Sequence, residues 1–68
     1  MTRLRINGVD TEIAVNTVAE LLVERGIDPQ VRFLAVAVNG AVVRRAEWAA
    51  QALAPGDNIE IVRPLQGG

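Results

Sequence analysis

Two Asn-Gly dipeptides, at positions 7–8 and 39–40, constrain this chain more than any other feature. Asn-Gly is the strongest short hairpin signal, because both central residues of a type I′ turn need positive φ. Each pair sits between stretches with strand character. Arg3, Leu4, Arg5 and Ile6 alternate polar and apolar before the first, and residues 9–15 return after it with Glu12, Ile13, Ala14 and Val15 alternating again. Residues 33–38 precede the second pair and carry no polar side chain, as in a strand covered on both faces or placed centrally in a sheet. Residues 41–43 follow it as a short strand. Two β-hairpins are therefore expected, one N-terminal and one in the middle of the chain.

A helix is expected between them. Thr17 with Glu20 three residues later forms a capping box, in which each side chain reaches an orphan backbone N–H. Val18, Leu21 and Leu22 recur at helical spacing and form the buried stripe. Gly26 suits the left-handed position that ends a helix, with Ile27 packing back against it. Asp28-Pro29 confirms the stop, since a residue before proline avoids the helical region. Residues 44–53 are alanine-rich and suit one or two short turns with Trp48 and Leu53 facing inward. Pro55-Gly56-Asp57 fits a type II turn, and residues 59–62 form the last strand. Pro64 cannot continue a ladder at its own nitrogen. The order is β-β-α-β-β-(short helix)-β. Layer rules then predict an α+β fold: a mixed sheet of about five strands, one main helix packed across it, and a short second helix. This is the β-grasp, or ubiquitin-like, arrangement. Residues 1–63 are expected to form the domain and residues 64–68 a flexible C-terminal tail ending Gly-Gly.

The residue inventory restricts chemistry. The chain has 68 residues, no cysteine and no histidine. Disulfides and the usual zinc sites are excluded, so no metal site is expected and stability must come from a core that is almost wholly aliphatic. The usual near-neutral base and the thiolate nucleophile are also missing. The only side-chain hydroxyls belong to Thr2, Thr11 and Thr17, and nothing marks them as activated. Catalytic residues are expected to be absent, and the chain is not expected to be an enzyme. Net charge is −1 and the seven arginines are interspersed with acids, which disfavours nucleic acid as a partner. The longest apolar run, residues 33–38, is far short of the about 20 residues of a membrane span. No signal peptide is visible, and a cytoplasmic location without a membrane partner is expected.

The terminal Gly67-Gly68 has two readings on the residues alone. Glycine loses the most conformational freedom on ordering and buries no side chain, so a frayed end is one. The other is a carboxylate that must thread a narrow site, where only glycine lets the backbone approach closely.

Longer segments distinguish the two. Residues 35–40 (AVAVNG), 43–48 (VRRAEW) and 55–61 (PGDNIEI), followed by Gly67-Gly68, make the chain resemble the ThiS family of bacterial sulfur carriers over nearly its whole length. The resemblance implies a carrier whose Gly68 carboxylate is adenylated by a ThiF-type adenylyltransferase using MgATP. A cysteine desulfurase or other sulfur donor then supplies the sulfur of a Gly68 thiocarboxylate, which passes to a ThiG-type thiazole synthase. The catalytic groups and the nucleotide belong to these partners, so no cofactor bound by this chain is expected. Gly67, Gln66 and Leu65 are expected to line the partner channel with Gly68. Ala35 and Ala37, on a weakly apolar outer sheet face of the kind through which such carriers dock, and Arg44 and Arg45 are candidate docking residues, with a plain helix start as the competing reading of the two arginines. Trp48 is read as core rather than as a partner anchor, and Arg3 and Arg5 as a solvated face. A MoaD-like carrier for molybdopterin or another sulfur metabolite, and a ubiquitin-like protein modifier, are the alternatives.

Overall fold

A computed structural model describes residues 1–63; residues 64–68, with the predicted sites Leu65, Gln66, Gly67 and Gly68, lie outside the described residues. The elements are β1 (Thr2–Ile6), β2 (Val9–Ile13), α1 (Val18–Glu24), β3 (Ala35–Val38), β4 (Ala41–Val43), a 3-10 turn (Arg45–Glu47) and β5 (Asn58–Val62). They form one five-stranded sheet in the order β2-β1-β5-β3-β4. The hairpins β1–β2 and β3–β4 are antiparallel, and β5 enters between them, parallel to β1 and antiparallel to β3. The observed architecture is the mixed sheet with one helix that the sequence predicts.

Both Asn-Gly pairs make the expected two-residue turns. Asn7 and Gly8 have φ of 49° and 82°, and Asn39 and Gly40 have 52° and 85°. The flanking pairs are Ile6 with Val9 and Val38 with Ala41. A slip of one residue would turn every core side chain to solvent.

The helix is tied at both ends. Thr17 Oγ1 accepts from the Glu20 amide at 3.2 Å. The Glu20 carboxylate accepts from the Asn16 amide at 2.9 Å, one residue before the cap, so the capping box is stretched by one position. The free N–H groups of Val18 and Ala19 donate to the carbonyls of Gln51 and Trp48, both at 3.0 Å. The 48–51 segment thus satisfies amides that a helix start leaves orphaned. At the other end Gly26 has φ 75°. Its amide donates to Val23 O and the Ile27 amide donates to Leu22 O, the paired bonds of a Schellman ending. Ile27 is buried, as anticipated.

The core lies on one face of the sheet. Leu4, Ile6, Val36, Val38, Val43, Ile59 and Ile61 point from the strands toward Val18, Leu21 and Leu22 of α1. Trp48 is 3% exposed and donates its indole N–H to Val43 O at 2.9 Å, and Leu53 is half-buried against the same cluster. Arg45 fastens the loop after α1. Its guanidinium donates to the carbonyls of Pro29 and Val31 and lies 4.8 Å from the Trp48 ring centre. The 54–57 turn is type II as expected. Gly56 has φ 90°, the Asp57 amide donates to Ala54 O, and the Gly56 amide reaches back to Arg3 O.

The apolar run at 33–38 needs correction. The strand begins only at Ala35, and the run is not covered on both faces. Phe33 lies outside the strand with φ 63° and is 81% exposed. Within β3, Val36 and Val38 are buried, whereas Ala35 is exposed and Ala37 half-buried. The run lacks polar residues because its outward positions are alanines, which lose little by facing water. The strand is internal nonetheless, between β5 and β4. The return strand is also shorter than expected, ending at Ile13, with Val15 buried beyond it.

Replacing Trp48 with Phe should keep the fold, remove the indole bond while Val43 O keeps its ladder pairing with Val36, and cost about 1 kcal/mol. Urea denaturation should show a lower midpoint at unchanged slope; an unchanged midpoint would remove the indole bond from the list of stabilising contacts.

Candidate functional site

The solvent face of the sheet follows from strand register. Residues paired across strands share a face, so Arg3 with Glu12, Arg5 with Asp10 and Arg5 with Asn58 lie outward on one half. Ala35 with Val62, Ala37 with Glu60 and Ala37 with Val42 lie outward on the other. The face is thus divided. Its β2–β1 half is charged and holds the Arg3–Glu12 ion pair at 2.8 Å. The Arg3 guanidinium bonds the Glu12 carboxyl and holds it below its ordinary pKa, but the pair is fully exposed and such pairs stabilise little. The β5–β3–β4 half is apolar. Val42 and Val62 are 76% and 61% exposed, and with Ala35, Ala37 and Glu60 they line a shallow depression of about 140 Å³. Exposed contiguous apolar surface makes this half a candidate contact site.

The route out of the sheet lies beside this half. β5 runs past the end of β1, whose last paired residue, Ile6, faces Ile59. Ile61 would then lack a ladder partner on that side. The Asn7 side chain supplies one: its amide nitrogen donates to Ile61 O at 3.2 Å and its oxygen accepts from Ile61 N at 2.8 Å. Asn39 does the same at the start of β5. Its side-chain oxygen accepts from Asn58 N at 2.9 Å and its nitrogen donates to Asp57 Oδ1 at 2.9 Å. Both hairpin asparagines therefore serve twice, once for positive φ and once as surrogate ladder. The strand that leads to residues 64–68 is pinned at both ends.

The structure brings some of the predicted docking residues together. Ala35 and Ala37 lie within the apolar half. Arg44 follows β4 at the Ala35 end of that half, since Val43 pairs with Val36. Arg45 turns away to hold the 29–31 loop. Val42 and Val62 belong to the same surface and were not singled out in the sequence. The alternation around Ala35 and Ala37 placed one strand, but finding Val42 and Val62 required the register of two others. Among the described residues, no group of three or more acidic, histidine or cysteine side chains could hold a metal ion. No helix among them is long and apolar enough to cross a membrane.

Comparison with known proteins matches this geometry to one family. The family model of the ThiS family matches residues 4–68. Two solved structures superpose with a TM-score of 0.80 at 27% identity, and each covers 98% of this chain. One is a crystal structure of the thiamine biosynthesis protein ThiS from Geobacter metallireducens, covered over 100% of its length. The other is a solution structure of a thiamine biosynthesis protein from the same organism, covered over 88%. Comparison with curated proteins gave no significant match.

Replacing Asn7 with Gly keeps the turn conformation and removes both bonds to Ile61. Amide hydrogen exchange at Ile61 should accelerate, with a stability loss of about 1 kcal/mol. Unchanged protection at Ile61 would show that the side-chain amide does not hold the strand.

Proposed function

The chain belongs to the ThiS family, and on that premise we propose that it is a sulfur carrier of thiamin biosynthesis that works through its Gly68 carboxylate. The observation that carries the reading is the family match, which extends through Gly68. A carboxylate alone is a poor electrophile, because substitution would expel oxide. Attack of a carboxylate oxygen on the α-phosphorus of ATP gives an acyl-adenylate and releases pyrophosphate. Hydrosulfide then adds at the acyl carbon and AMP leaves, giving the thiocarboxylate; a donor persulfide instead gives an acyl disulfide, whose S–S bond a second thiol cleaves, releasing the thiocarboxylate and a disulfide. A ThiF-type adenylyltransferase would supply the MgATP site, a cysteine desulfurase or other donor the sulfur, and a ThiG-type thiazole synthase would receive it.

This chain's own part is binding and presentation. It has neither His nor Cys to act as base or nucleophile. Its rigid body offers the apolar half-face of Ala35, Ala37, Val42 and Val62 beside a clamped last strand. Gly67 keeps the approach to Gly68 free of a Cβ, and Leu65 and Gln66 lie between the body and the reacting carboxylate. A partner gripping the face therefore receives the carboxylate within a short, fixed reach.

Incubation with a ThiF-type enzyme, MgATP and sulfide should raise the intact mass by the difference between sulfur and oxygen. Deleting Gly68 should abolish that gain and leave the melting temperature unchanged. A wild-type mass that stays constant while a control carrier reacts would exclude the carrier reading.

A further inference from the structure

Phe33 is the least economical residue in the fold. A bulky side chain at φ 63° is a steric outlier, and 81% of this one faces solvent. The structure gains neither burial nor backbone ease from it. Backbone strain of this kind collects at binding sites, where the surrounding fold holds it in place. Phe33 also has a particular location. It lies two residues before Ala35, which pairs with Val62, so it stands at the end of the sheet where the chain leaves toward Gly68. Arg32 lies over its ring, 5.9 Å from the centroid, within range for a cation–π contact. Arg44 sits at the same end by the register of β4, and Arg63 follows β5 there too but lines the helix side with Glu24 and Arg25. Among the described residues the ion pair is Arg3–Glu12, on the other half of the face, so none of these three arginines is paired with an acid there.

We propose that Phe33 is a partner anchor: an aromatic knob, with Arg32 against its ring and Arg44 at the same end of the sheet, that seats in an apolar pocket with an acidic rim on the ATP-dependent enzyme that activates Gly68. This rests on the carrier reading above. Chain length and charge select the occupant. Five residues separate Arg63 from the end of Gly68, and fully extended they reach about 17 Å. An enzyme holding the carboxylate therefore lies within about 17 Å of the sheet end where Phe33 stands. The positive rim calls for carboxylates opposite, and an aromatic side chain in a desolvated pocket beside an arginine is a common interface hot spot. The strain in the free carrier is retained because the ring has to point outward to be gripped.

The test uses opposite signs for stability and recognition. Phe33→Gly removes the ring and the steric strain, so its melting temperature should equal or exceed wild type. In carrier-dependent ATP–pyrophosphate exchange with the ThiF-type enzyme, its KM should rise by about tenfold or more with kcat nearly unchanged. Phe33→Tyr, which keeps the ring, should restore KM. An unchanged KM for Phe33→Gly, with wild type active, would overturn the anchor and leave the carrier reading intact. A lower melting temperature for Phe33→Gly would overturn it too, by making the ring a stabilising contact. Inactive wild type would remove both.

Discussion

The fold depends on the insertion of β5 between two hairpins. Each hairpin is local and could form by itself, but a lone hairpin is marginal in water. β5 joins them into one sheet, and its Ile59 and Ile61 complete the core over α1. Its pairing with β1 links residues more than fifty positions apart, the kind of contact that is slow to form. The clamps that hold it come from the turns themselves. Asn7 and Asn39 bend their hairpins and then use their side chains to bond the two ends of β5. The same residues that start the sheet therefore finish it.

The one-sided layout follows from the size of the chain. One seven-residue helix and a short 3-10 turn can cover only one face of five strands. The other face must tolerate water, and it does so in two ways. Arg3, Arg5, Asp10 and Glu12 make one half polar. Alanines keep the other half only weakly apolar on β3, with Val42 and Val62 at its margins. On the proposed carrier reading, this body contributes a surface and an anchored strand.

Much of this was legible one segment at a time. Asn7-Gly8, Asn39-Gly40, Thr17 with Glu20, Gly26 and Pro55-Gly56 each signal a backbone conformation through local sterics or local hydrogen bonds, and each adopts it. Val18, Leu21 and Leu22 share a helix face because their spacing requires it. The run at 33–38 was read as covered on both faces or central in the sheet, and only the second holds. Alanine outside a sheet and valine inside it are both apolar, so the lack of polar residues does not tell a strand covered on one face from one covered on both. Phe33 was absorbed into that strand because no local signal marks a phenylalanine for positive φ. The candidate site was legible only in part: Ala35, Ala37 and Arg44 were found, and Val42, Val62 and Phe33 were not.

The division is one of range. By itself the sequence determined the hairpins, the helix and its limits, the absence of His and Cys, and the family to which the chain belongs. These follow from residue identity and from neighbours a few positions away. Only the tertiary structure decided that β5 lies between the hairpins and that Asn7 and Asn39 clamp it. It also decided that Val42 and Val62 flank Ala35 and Ala37, and that Phe33 faces solvent at the sheet end. Those facts depend on strand order and register, which are set when distant segments bury a common core.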